Sequence, residues 1–181
     1  MLAITMASCA QKKEVKTDDN TPKVLVAYFS ATGTTEGVAK VIADNTGGTL
    51  YKITPATPYT SGDLDWNGSQ SRSSKESADH KARPAIKSDS LDISKYNVIF
   101  LGYPIWWNEA PRVVNTFIEQ KGLKGKTVIP FATSGGSSIT NSVKRLKATY
   151  PYVSWQEGQL LNGGDQETAE WAKSIMDKYN K

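Results

Sequence analysis

The chain changes character at Lys23. From there on, short apolar runs alternate with stretches in which apolar residues recur every three or four positions. Val24-Leu25-Val26-Ala27-Tyr28-Phe29 is continuously apolar, the pattern of a strand buried on both faces. Val38, Val41 and Ile42 repeat at helical spacing, and Gly47-Gly48 stops that helix. Thr49 to Ile53 reads as a short second strand and Asn97 to Gly102 as a buried third. Pro111 opens a helix carrying Val113, Val114, Phe117 and Ile118, with Gly122 as its stop. Thr127 to Ala132 is a fourth strand, and Ser137 or Ser138 is expected to cap a helix bearing Ile139, Val143 and Leu146. Val153 to Leu161 reads as a fifth strand. Asp165 is expected to cap a last helix with Ala172, Ile175, Met176 and Tyr179 on one face.

Strands alternating with helices predict an α/β domain: a three-layer, doubly wound sheet of five parallel strands. In such sheets a ligand sits beyond the carboxyl ends of the strands. The residues that directly follow strands one, three and four therefore carry the chemistry. Pro55 to Lys95 breaks the alternation. It is polar, holds one short helix near Ser73 to Ala78, and is too long for a plain connection.

The first of the three loops is Ser30-Ala31-Thr32-Gly33-Thr34-Thr35. It places hydroxyls and a glycine where a strand opens a helix, a setting that favours an anion. It has no Gly-Lys-Ser/Thr, so it is not a nucleoside-triphosphate loop. Hydroxyls without lysine suit a phosphate monoester. The second loop runs Gly102 to Pro111 and holds Pro104, Ile105, Trp106, Trp107 and Asn108. Adjacent side chains of an extended chain point opposite ways, so one Trp is expected to face a planar ligand or cap the cleft. The third loop, Thr133-Ser134-Gly135-Gly136-Ser137-Ser138, has paired glycines that let backbone approach a ligand.

In this order the loops resemble those of the flavodoxin family. Ser30-Ala31-Thr32-Gly33-Thr34-Thr35 is similar to its phosphate pattern, and Pro104-Ile105-Trp106-Trp107 and Thr133-Ser134-Gly135-Gly136 fall where the family has its two ring-binding loops. The resemblance spans residues 23 to 180 and implies the strand order 2-1-3-4-5. It also implies FMN as cofactor, with the first loop on its phosphate, Trp106 or Trp107 stacked on its ring, Pro104 to Asn108 at its redox edge and Thr133 to Gly136 on its pyrimidine side. Asp65-Trp66-Asn67, with Ser71 to Glu76 and Arg83-Pro84, resembles an excursion found in a subgroup of flavodoxin-like proteins, many of them exported. The implied function is electron transfer, to or from a partner protein or a small quinone-like acceptor. Alternatives are an FMN-dependent NAD(P)H:quinone or nitro reductase, and a flavodoxin fold serving as a cofactor-free binding module. No side chain is implied as a catalytic acid or base, and His80 reads as a surface residue.

Composition narrows this further. The 181 residues hold one Cys and one His, which excludes an internal disulfide framework, a cysteine-based zinc site and a multi-histidine metal site. The net charge of +4 raises the question of nucleic acid. The excess lies in residues 110–150, where Arg112, Lys121, Lys124, Lys126, Lys144, Arg145 and Lys147 face Glu119 alone. No tight basic run or RNA-binding signature accompanies it, so a docking face for an acidic partner or anionic membrane fits better than nucleic acid. Residues 1–22 stand apart from the domain at 23–181. Met6-Ala7-Ser8 before Cys9 resembles the lipobox of a bacterial lipoprotein signal, and the polar residues after it read as a tether. This predicts an exported, membrane-anchored protein lipidated at Cys9; the alternative is a cytoplasmic protein with a loose tail.

Overall fold

Side chains alternate across the strands and divide the core into two halves. In β1 (Val24–Tyr28), Val24, Val26 and Tyr28 face one half, whereas Leu25 and Ala27, with Phe29 beyond the strand, face the other. In β3 (Val98–Pro104), Val98 and Phe100 join the first half and Ile99, Leu101 and Tyr103 the second. Helices cover both faces, so these strands carry no polar side. α1 (Thr34–Thr46) and α5 (Asp165–Met176) close the first half with Ile42, Ala172 and Met176. α3 (Arg112–Lys121) and α4 (Thr140–Thr149) close the second with Val113, Phe117, Val143 and Leu146.

The computed structural model describes residues 22–162 and 164–179; Cys9 and the tether as far as Thr21 lie outside them. The sheet is parallel throughout, ordered β2-β1-β3-β4-β5, with β2 at Thr49–Lys52 and β4 at Thr127–Thr133. That is the predicted three-layer fold. No helix among the described residues is long and apolar enough to cross a membrane.

The fifth strand departs from expectation. It is two short pieces, β5 (Ser154–Trp155) and β6 (Gln159–Leu160), both paired with β4. Pro130 explains the break. The Val128 and Ala132 carbonyls accept from Gln156 and Leu161 on that side of β4. Pro130 lies between them on the same side and has no N–H to offer. The partner strand therefore bulges: Thr127 pairs with Ser154, but Phe131 pairs with Gln159, one residue further on.

Two helix starts also differ. α4 begins at Thr140 with Ile139 in the capping position, not Ser137 or Ser138. Ser134 Oγ already accepts from the Gly136 and Ser137 amides, which builds a separate turn ahead of the helix. Asp165 is the first residue of α5, and Gly164 at φ 105° holds the cap position.

α2 (Arg72–Ala78) matches the helix expected near Ser73 to Ala78 and is capped by Ser71, which accepts from the Ser74 amide. The excursion that contains it closes at a neck, where Ala56 N donates to Ala85 O and Lys87 N to Thr54 O. The returning leg lies along α3 through Thr116 Oγ1 to Pro84 O and an Arg83–Glu119 ion pair.

Glu36, in the first turn of α1, lies 2.8 Å from Lys52 and 3.0 Å from Lys40. Hydrogen bonds from Lys52 and then Lys40 hold its carboxyl down to about 2, below its ordinary 4.5. A depressed folded-state value means stability present above pH 4.5 and lost as pH falls towards 2. The Tm advantage of the native chain over Glu36→Gln should shrink across that window. A constant gap would show that the pair contributes no proton-linked stability.

Candidate functional site

Beyond the carboxyl ends of β1, β3 and β4 opens a cleft of about 1200 Å³. It is lined by Ser30, Ala31, Thr32, Thr34 and Thr35 of the first loop, Pro104, Ile105, Trp106 and Trp107 of the second, and Thr133, Ser134, Gly135 and Gly136 of the third. Of the expected residues, Gly33 and Asn108 do not line it. Each has a backbone role instead.

Gly33 sits at φ 95° in the cap position of α1, which no side chain caps. Its left-handed conformation lets the chain turn from β1 into the helix. Ser30 Oγ accepts from the Gly33 amide at 3.0 Å and fixes that turn. The first amides of α1 have no intrahelical partner, and the helix dipole puts positive potential there. Thr32 and Thr34 are exposed beside this helix end. Thr35 differs: it is buried, and its hydroxyl pairs with Thr133 Oγ1 at 2.8 Å. It ties the first loop to the third while lining the cleft.

The second loop makes a tight turn. Trp106 and Glu109 exchange backbone hydrogen bonds at 3.0 and 2.9 Å, with Trp107 at φ 46° and Asn108 at φ 61° between them. Positive φ at both central residues is the geometry of a primed hairpin turn, which Asn tolerates and Trp does not favour. The turn separates the two indoles. Trp106 packs edge-on against Phe29 and Tyr59, at centroid distances of 5.5 and 5.3 Å. Trp107 stays 43% exposed on the cleft, so it is the one free to meet a planar ligand.

A cluster that the sequence does not announce holds this turn from behind. Arg112 is buried at the start of α3. It donates from Nε to Glu76 O (3.2 Å) and from Nη2 to Ser77 O (2.8 Å), at the end of α2. Arg112 Nη2 also lies 2.8 Å from Glu109 Oε2, an ion contact without hydrogen-bond alignment. Arg145 Nε approaches Glu109 Oε1 at 2.9 Å, and His80 Nδ1 is 2.7 Å from Arg112 Nη2. Asn141 Nδ2 donates to Asn108 O at 3.0 Å. His80 is indeed at the surface, but it belongs to this cluster. Tyr59 of the excursion is held by a bond to Glu76 and by Arg72, whose guanidinium lies 4.1 Å over its ring. Burial and the Glu76 bond push the Tyr59 phenol well above its usual range, so it stays neutral and donates.

Sequence reasoning missed the fourth wall. Leu161, Asn162, Gly164 and Asp165 line the cleft, and Asn162 exchanges two bonds with Ser134, at 3.1 and 2.6 Å. The rule that ligands lie beyond strand ends points there too, because these residues follow the fifth strand directly. Leu64, Trp66 and Ser73 add a wall from the excursion.

The described residues contain no group of three or more His, Cys, Asp or Glu that could hold a metal ion. The basic segment is also less free than its count implies. Arg112 and Arg145 pair with Glu109, Lys121 pairs with Asp89, and Lys126 donates to the Ser94 and Tyr96 carbonyls.

A family model described as flavodoxin matches residues 23–175. The chain belongs to the flavodoxin family. It is 58% identical to a provisionally assigned flavoprotein from Bacteroides eggerthii, over 86% of this chain and 98% of that one, with TM-score 0.82. It is 53% identical to another from Bacteroides uniformis, over 84% and 98%, also with TM-score 0.82. A flavoprotein from Lactobacillus acidophilus, solved in complex with FMN, is 21% identical over 88% and 99%, with TM-score 0.67, and so shares the fold. No curated protein matches the chain. For this flavodoxin the uncapped helix, its exposed hydroxyls and the aromatic wall suit a phosphorylated flavin, and the cleft volume of about 1200 Å³ leaves room for one.

Proposed function

We propose that this flavodoxin binds FMN in the cleft and serves as an electron-transfer protein. The observation that carries the reading is the uncapped N-terminus of α1 beneath exposed Thr32 and Thr34, at the mouth of a cleft with an exposed Trp. The amides of the first turn of α1, with the Ser30, Thr32 and Thr34 hydroxyls, would bind the phosphate by hydrogen bonds alone. Trp107 would stack on the ring. Ile105 and the Trp106–Glu109 turn would exclude water from one ring edge, and the Thr133–Gly136 backbone, pinned by Asn162, would line the other side. When bound, FMN supplies the electron storage and the chain supplies position and electrostatics. Thr35, which lines the cleft, would also orient the phosphate loop through its bond to Thr133.

Replacing Thr32 and Thr34 with Val should weaken FMN binding by at least about 100-fold, since a bond to a charged group is worth roughly 1.5–3 kcal/mol. Titration calorimetry reads this directly, and unchanged affinity in the double variant would remove the phosphate assignment. A second reading, a self-contained NAD(P)H-dependent reductase, draws support from the open, wide cleft. Steady oxidation of NADH or NADPH by the FMN-loaded protein with a quinone would favour it, and reduction only by a partner protein would favour the carrier. The partner's surface would be acidic, meeting the exposed Lys124, Lys144 and Lys147. Cys9 is proposed as a lipid-bearing residue that tethers the domain to a membrane, an assignment that mass spectrometry of the cell-derived protein tests.

A further inference from the structure

Thr133 ends β4 and is bonded to all three loops of the cleft. Its carbonyl accepts from the Ile105 amide of the second loop at 2.9 Å, and the third loop begins with it. Its hydroxyl pairs with Thr35 Oγ1, in the first turn of α1, at 2.8 Å. Both residues line the cleft, yet Thr35 is only 1% exposed and Thr133 only 4%. The two hydroxyls are therefore shut off from bulk water, and among the described residues neither has another partner.

Counting protons makes this pair informative. A hydroxyl carries one proton and has two lone pairs. Two hydroxyls joined by one bond use one proton, and the other proton is left over. Either oxygen can be the donor. If Thr133 donates, the spare proton belongs to Thr35, beside the unpaired amides that open α1. If Thr35 donates, the spare proton lies at the end of β4, and Thr35 turns only lone pairs towards the helix end. The first arrangement offers a donor to an anion there, and the second offers an oxygen that repels one.

We infer that Thr133 is a positioning residue: by donating to Thr35 it turns the Thr35 proton towards a phosphate on the first loop, and so helps the site select a phosphorylated flavin over an unphosphorylated one. The inference deepens the FMN reading and rests on it. Thr133 acts through Thr35 and need not touch the phosphate itself. A hydrogen bond to a charged oxygen is about twice as strong as one between neutral groups, so an anion settles the direction of the pair. An uncharged ligand gives no such bias. With Thr133 unable to donate, Thr35 would reach the phosphate with a buried lone pair left unmatched, which costs binding free energy.

The test uses the full chain and begins with FMN uptake by the native protein. No uptake overturns the FMN reading, and this inference with it, before any variant is made. FMN, riboflavin and inorganic phosphate are then titrated separately into the FMN-free chain. Thr133→Val should weaken FMN and inorganic phosphate by about 10-fold each and leave riboflavin within about two-fold of native. Thr133→Ser, which keeps the hydroxyl, should hold all three within about two-fold. Thr35→Val should weaken FMN at least as much as Thr133→Val. Adding Thr133→Val to it should cost less than about two-fold more, because the proton that Thr133 steers is already gone. A residue that merely packs the third loop would shift riboflavin together with FMN, and its loss would add to that of Thr35. Unchanged FMN affinity in Thr133→Val, equal weakening of FMN and riboflavin, additive effects of the two valines, or a serine variant as weak as the valine one would overturn the inference.

Discussion

Replacing Arg112 with alanine is expected to cost about 3–5 kcal/mol of folding free energy, the usual consequence of leaving one partner of a buried pair alone. The Arg112 side chain is 7% exposed and that of Glu109 is 15% exposed. Removing the guanidinium strips the Glu109 carboxylate of its buried counter-charge and frees the Glu76 and Ser77 carbonyls at the end of α2. Arg145 touches the same carboxylate from a side chain that is 49% exposed. Arg145→Ala should therefore cost much less, about 1 kcal/mol or below. Urea unfolding of the two variants side by side measures the difference. Because Glu109 closes the turn that carries Trp107, Arg112→Ala should also loosen FMN binding. Equal costs for the two arginines would mean that burial is not what makes the cluster matter.

Gly102→Ala is the second large effect. Gly102 in β3 pairs with Phe131 in β4, whose fully buried ring lies over the glycine. A Cβ there would fall 2.1 Å from Cζ and 2.5 Å from Cε2 of that ring. The ring is fully buried, so overpacking is expected to cost about 1–3 kcal/mol. Gly102 leads into the Trp106–Trp107 turn, so displacement of β3 also reaches the cleft. The compensating pair Gly102→Ala with Phe131→Leu should recover part of the loss in urea unfolding. A single variant as stable as the native chain would show that the ring is not packed as described.

How legible the molecule is in its sequence depends on how local the cause is. β1, β3 and β4 stand out as apolar runs because burial on both faces leaves them no polar positions. The fifth strand misleads because its break is caused by Pro130, a residue of its neighbour. Ser137, Ser138 and Asp165 look like caps, but cap choice is settled by competing bonds, and Ser134 takes two of the amides first. The three loops of the cleft are readable because each follows its strand directly. The cluster behind the Trp turn is not, because His80, Arg145 and the Glu109–Arg112 stretch come from three separate segments that only the fold brings together. The basic excess of residues 110–150 likewise changes meaning: three of its charges, Arg112, Lys121 and Arg145, are spent on internal ion pairs. What remains for a partner is Lys124, Lys144 and Lys147, a smaller and more testable face.

FMN is proposed to sit in the cleft with its phosphate on the uncapped end of α1. Comparing FMN with riboflavin on the native chain tests it most directly, since the two ligands differ only in that phosphate. FMN should bind at least about 100-fold tighter than riboflavin, and Thr32→Val and Thr34→Val together should largely close that gap. Equal affinity for the two ligands, or no binding of either, would contradict it.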